Sequence, residues 1–201
     1  MRRGPLLGWI GPAVIVAVIA VYAGAMVSGR WRDPTGRQAA DTAMAYPEST
    51  DPQQRKAQAE LCPLINRPEV LELVERPATL KGIGTSYDPD GDWRECTVTL
   101  PNSSLRLNVW HGRTRIADYR KLFPEAQPRT VLGRRAVWTA GSSSLVNSTW
   151  KDATLLVAWD RADSGGMVEI SVLREVLNSS DETTLTRIAE RQLPGLPGWP
   201  G

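Results

Sequence analysis

Hydrophobic and polar positions follow four different patterns along this chain, and each predicts a different kind of structure. From Leu6 to Ser28 no side chain is charged, and Ile10, Val14, Ile15, Val16, Val18, Ile19 and Val21 fill the run. As a helix rising 1.5 Å per residue, such a run reaches about 34 Å, enough for a hydrocarbon core of about 30 Å. The pattern predicts one transmembrane helix over residues 6–28, behind a leader at 1–5 whose Arg2 and Arg3 favour an inside N-terminus. The alternative is a cleaved export signal, since Ala23-Gly24-Ala25 has the small-x-small form of a cleavage site. Both readings place the remainder outside the cytoplasm, either as a single-pass membrane protein or secreted after cleavage near Ala25. Residues 29–57 are polar, broken by Pro34, Gly36 and Pro47, and read as a flexible linker.

From residue 58 to 201 the pattern is that of one folded domain. Asp51-Pro52 has the form of a helix start, with Ala57, Ala59 and Leu61 leading to Cys62 and Pro63 limiting the helix. Val70, Leu71, Leu73 and Val74 form an apolar stripe for a second helix from Pro68 to Arg76. Alternation then takes over. Strands are expected at 79–87, 93–100 and 105–111, with Pro101-Asn102-Ser103-Ser104 as a hairpin loop. Symmetric pairing sets Cys96 opposite Val109, Val98 opposite Leu107 and Leu100 opposite Leu105 on a core face. The other face then carries Glu95 opposite Trp110, Thr97 opposite Asn108 and Thr99 opposite Arg106. A helix is expected at 115–122, followed by strands at 129–132, 136–139, 144–150, 154–160 and 167–176. Leu155 to Trp159 is apolar on both faces and predicts a central strand, paired as a hairpin with the strand carrying Val168, Ile170 and Val172. A final helix at 181–192, capped by Asp181, precedes a Pro/Gly-rich tail. The predicted class is α+β, a mainly antiparallel sheet with flanking helices.

Charge narrows the function. Of 24 basic and 22 acidic residues, seven and four precede Gln58, so the folded part is close to neutral. It lacks the clustered Lys and Arg that neutralise phosphates, and nucleic acid is set aside as a partner. Cys62 and Cys96 are the only cysteines, and in an exported domain an even pair predicts a disulfide. No metal site or cofactor is expected: His111 is the sole histidine, and no phosphate-binding glycine loop is present.

Four stretches carry a resemblance. They are Leu61-Cys62 with Leu64-Ile65-Asn66-Arg67-Pro68; Arg129 to Arg134; Asp163-Ser164-Gly165-Gly166; and Leu193-Pro194-Gly195-Leu196-Pro197-Gly198-Trp199. Over roughly residues 58–199 the chain resembles an uncharacterised streptomycete (actinobacterial) membrane-anchored family, a domain of unknown function. The resemblance implies a topology and a cell-surface setting, and it carries no catalytic residues.

Candidate chemistry comes from aromatic and acidic residues. Eight tryptophans against one phenylalanine is an unusual balance. On the expected hairpin, Trp93 and Trp110 share a face with Glu95, Arg106 and Asn108, a candidate surface for stacking a sugar or docking a cell-envelope protein or glycan. The competing reading is a helix that covers this face and buries both rings. His111 is expected in the core beside Val109. Asp88, Asp90 and Asp92 miss the EF-hand spacing and read as a solvated turn. Ser148-Thr149-Trp150-Lys151 matches Ser-x-x-Lys but falls in an expected strand, where residues three apart face opposite ways. The leading expectation is a tethered binding or interaction module, not an enzyme. The alternative is a cell-envelope hydrolase using carboxylates such as Glu95, Asp160 or Glu169.

Overall fold

The structure is a computed structural model that describes residues 50–88, 92–142 and 149–201. The expected helix at 6–28, nearly all of the linker, Asp90, Ser148 and most of the strand expected at 144–150 lie outside the described residues. Among the described residues, no helix is long and apolar enough to cross a membrane.

The described chain forms four α-helices and a seven-stranded sheet in which every neighbouring pair is antiparallel. The α+β class read from the sequence is therefore the observed one. In chain order the elements are α1 (Pro52–Ile65), α2 (Pro68–Val74), β1 (Gly82–Tyr87), β2 (Trp93–Thr99), β3 (Ser103–Trp110) and α3 (Ile116–Leu122). They continue with β4 (Gln127–Val131), β5 (Arg134–Ser142), β6 (Lys151–Ala158), β7 (Met167–Arg174), α4 (Asp181–Gln192) and a short 3-10 turn at Leu193–Gly195. The order across the sheet is β1-β2-β3-β7-β6-β5-β4, so β7 sits at the centre and joins the two halves through β3. The hairpin expected from the apolar run at 155–159 is the observed β6–β7 pair.

One face of the sheet carries the main core. Cys96, Val98, Leu105, Leu107, Val109, Ala153, Leu155, Val157, Val168, Ile170 and Val172 project there and meet Leu61 and Ile65 of α1, Val70 of α2, and Leu185 and Ile188 of α4, all within 1 % of full burial. Burying a side chain of this size removes apolar surface worth about 1.5–3 kcal/mol each, which is what holds three helices on one side. The Cys62–Cys96 disulfide joins α1 to β2 through this core. The tail is part of it too: Leu193 and Leu196 are buried, and Trp199 packs edge-on against Trp159 while Arg134 lies over its ring, 4.2 Å from the centroid.

Local chemistry corrects several expectations. Asp51 does cap α1, accepting from the N–H groups of Gln53 and Gln54, but Pro63 lies inside the helix, which continues to Ile65. A proline so near the C-terminus forfeits one intrahelical bond, while the Asn66 N–H still closes on the Cys62 carbonyl. Asp181 is the first residue of α4, not its cap: its buried carboxylate turns back to the Asn178 N–H at 2.7 Å and pairs with Arg174 at 3.4 Å. The β2–β3 loop is shorter than expected. Leu100 N–H donates to the Ser103 carbonyl, only Pro101 and Asn102 lie between, and Ser103 and Ser104 join β3. The register therefore moves by two residues: Cys96 faces Leu107, Val98 faces Leu105, Glu95 faces Asn108, Thr97 faces Arg106, and Trp93 faces Trp110. An even shift leaves every side chain on its expected face.

Candidate functional site

The face opposite the three helices is the functional candidate. All five residues singled out there share it, since Trp93 and Glu95 alternate with Arg94 on β2 and Arg106, Asn108 and Trp110 alternate with Leu107 and Val109 on β3. Strand β7 extends the face with Met167, Glu169 and Ser171, which pair with Trp110, Asn108 and Arg106 in turn. Three rows result: Trp93-Trp110-Met167, Glu95-Asn108-Glu169 and Thr97-Arg106-Ser171.

Helix α3 lies on the same side but over the other half of the sheet. Ile116, with Tyr119 at its edge, packs against Val137, Leu156, Ala158 and Met167 in a second, smaller core. Its position is set from the β6–β7 turn. Asp163, only 4 % exposed and held at φ 54°, accepts the N–H groups of Ile116 and Ala117 at 2.8 and 3.1 Å, satisfying two donors that the start of a helix leaves open. Because α3 stands over β5 and β6, it does not bury both tryptophans: Trp93 is half-buried and Trp110 is 37 % exposed.

Beside the two rings is a cavity of about 450 Å³ lined by Asp88, Asp92, Trp93, Trp110, Gly112, Thr114, Gly166 and Met167. That volume lies within the usual range for a small-ligand pocket, about 300–1,000 Å³. The Asp88 carboxylate also fixes the wall by accepting the Trp93 N–H at 3.1 Å. Gly166, at φ +79°, brings the turn close enough that a Cβ there would sit 2.9 Å from the Trp110 carbonyl oxygen. Glycine is required at that wall.

The polar rows next to the cavity form a network. Glu95 accepts from the Thr97 hydroxyl at 2.9 Å and pairs with Arg106 at 3.3 Å; Ser171 donates to Glu169 at 3.2 Å; Thr154 donates to Asp152 at 2.8 Å. Burial pushes the Glu169 carboxyl above its ordinary value, with Asp152 adding to the effect and Arg106 opposing it. Burial raises Asp152 likewise, against the Thr154 hydroxyl bond and Arg106. Asn108, 3 % exposed, leaves its Oδ1 without a hydrogen-bond donor among the described residues. None of Glu95, Arg106, Asn108, Asp152 or Glu169 lines the cavity. The five expected residues thus divide into two tryptophans at a cavity wall and three polar groups engaged in the sheet.

Other expected groups fall elsewhere. His111 is not a core residue: it follows β3, is exposed, meets Trp159 edge-on at 4.7 Å and accepts from Arg94 Nη2 at 3.0 Å. Partial burial of its ring and the Arg94 guanidinium hold its pKa below the ordinary value, which favours the neutral ring. Arg94 in turn pairs with Glu60 of α1. Asp160 belongs to the β6–β7 turn, where it accepts from Ser164. Cavity residues absent from the sequence expectation are Gly112, Thr114, Gly166 and Met167, with Asp88 and Asp92 read there only as turn residues. Alternation against Val168 and Ile170 assigns Met167 and Glu169 to the far face; what alternation does not supply is that β7 pairs with β3. No family profile, curated protein or solved structure matches this chain.

Proposed function

We propose that this chain is a membrane-anchored, extracytoplasmic binding module whose ligand enters the cavity that Trp93, Trp110 and Met167 help to line. The anchoring rests on the uncharged run at residues 6–28, and the compartment on the disulfide, which an oxidising environment maintains. The resemblance to the streptomycete membrane-anchored family fits the same setting. The observation that carries the binding role is the cavity itself: a preformed concave space walled by two tryptophans and a methionine, with one ring substantially exposed.

Proximity labelling in the native cell, read by mass spectrometry, tests this proposal. The intact protein and a folded Trp93→Ala/Trp110→Ala variant are compared. Specific envelope neighbours that disappear in the variant support the reading; an unchanged neighbour set, with no small ligand co-purifying with the intact protein and lost from the variant, refutes it.

A second reading is a hydrolase using carboxylates, favoured by one observation: Asp152 and Glu169 lie on one sheet face and burial raises both. Against it, neither lines the cavity, and each is already bonded to a neighbouring hydroxyl. A Glu169→Gln variant that loses a turnover measured with envelope polysaccharide or peptide, while keeping its fold, would favour this reading.

A further inference from the structure

His111 is the one histidine of the chain, and four residues of the cavity wall meet it. Trp110 and Gly112 are its chain neighbours, and its N–H donates to the Asp92 carbonyl at 2.7 Å. Gly166 lies so close that a Cβ there would sit 3.7 Å from the His111 Cα and 3.3 Å from the Trp159 Cβ. The ring is held from two sides: Trp159 meets it edge-on at 4.7 Å, and Arg94 Nη2 is 3.0 Å from its Nε2. A guanidinium can only donate, so Nε2 is the acceptor and the ring is neutral. A proton on Nε2 removes that acceptor and sets two cations against each other. The charged groups around the ring are Arg94 of β2, Asp92 just before β2, and Glu60 and Lys56 of α1. Of the two carboxylates, Glu60 is already paired with Arg94.

We propose that His111 is a pH sensor set in the cavity wall: in acid its ring takes a proton at Nε2, parts from Arg94 and loosens the segment from Trp110 to Gly112, so the cavity keeps its shape at neutral pH and loses it as the surroundings acidify. Burial of the ring, then Arg94, then Lys56 disfavour the charged form, against Asp92 and Glu60, and together they hold the His111 pKa below its ordinary value. A ring that is harder to protonate in the folded chain gives stability that is fully present above the ordinary histidine pKa and is lost as pH falls through the folded one.

The test uses the full chain in a nonionic detergent, with isotope-labelled histidine and tryptophan, titrated between about pH 8 and 5 by NMR. The ring signal of the sole histidine gives the protonation midpoint directly. The Trp110 indole N–H, and hydrogen exchange at the amide of residue 111 corrected for its intrinsic pH dependence, report on the wall. In the parent the ring is expected to titrate below the ordinary histidine value of about 6.5, the Trp110 signal to move with the same midpoint, and protection of the amide to fall severalfold. His111→Gln, at an exposed site, is expected to abolish the response of the wall, and Arg94→Gln to raise the midpoint of the ring. Thermal melts establish that the variants are folded; should Arg94→Gln not fold, the parent and His111→Gln decide between them. A wall response that persists in His111→Gln belongs to another group, such as Glu169, and overturns the proposal. A ring that titrates without moving the wall, or a midpoint that folded Arg94→Gln leaves unchanged, also overturns it. No ligand enters the experiment, so the binding role stands or falls separately, on the native-cell labelling.

Discussion

Replacing both cysteines with alanine should cost this fold about 4 kcal/mol. The bond spans a sequence separation of 34 residues. Closing a loop of that size removes about 13 cal/mol/K of denatured-chain entropy on the polymer model, or about 3.8 kcal/mol at 25 °C. Both cysteines are fully buried, one on α1 and one on β2, so the space left by two sulfur atoms adds to the loss. The double variant avoids leaving a lone thiol in the core. Urea denaturation followed by tryptophan fluorescence would report the change as a shift of the midpoint at constant slope, and a thermal melt as a fall of about 10–15 °C. Cys96 lies between Glu95 and Thr97 on the strand that begins with Trp93, so β2 should exchange its amide protons faster in the variant than β6 does. A loss below 1 kcal/mol, or uniform exchange across β2 and β6, would refute the reasoning that the bond secures α1 to the strand bearing the cavity wall.

Three further outcomes follow from the geometry. Gly166→Ala, with φ at +79° and a Cβ contact of 2.9 Å to backbone, should destabilise by about 1–3 kcal/mol in urea and shift the indole signal of Trp110. Asp163→Ala removes two hydrogen bonds to the start of α3 and should cost about 1–2 kcal/mol, with exchange rising first at Ile116 and Ala117. Glu169 has a folded pKa raised above its unfolded value, so its contribution is fully present below the ordinary glutamate pKa and is lost as pH rises through the folded one; Glu169→Gln should therefore gain stability relative to the parent as pH rises above the ordinary glutamate pKa, and a pH-independent difference in urea titrations would contradict the burial argument.

Side-chain alternation alone makes much of this face readable. A strand repeats every two residues, which puts Trp93, Glu95, Arg106, Asn108 and Trp110 together, and a two-residue difference in register changes their partners without moving them off the face. The register is not readable in the same way. Ser103 and Ser104 have the composition of a loop, and what draws them into β3 is the Leu100–Ser103 bond together with Glu75, which accepts from the Ser103 hydroxyl at 2.7 Å. Asp181 is ambiguous for a similar reason. Its position at a helix start matches a cap, but Arg174 and the Asn178 N–H claim its carboxylate. The cavity lies beyond local pattern because its walls come from three separate stretches, around Asp88 and Trp93, Trp110 to Thr114, and Gly166 with Met167, while Asp163 holds α3 nearby. Only the β3–β7 pairing, across about 60 residues of sequence, brings them together.

The central claim is that the cavity beside Trp93 and Trp110 is occupied in the cell. Hydroxyl-radical footprinting of the protein in its native membranes, against the same chain purified, measures that directly at individual side chains. The account predicts that oxidation of Trp110 falls severalfold in the native membranes while that of the exposed Phe123 at the end of α3 does not change. Equal oxidation of Trp110 in both samples would contradict it.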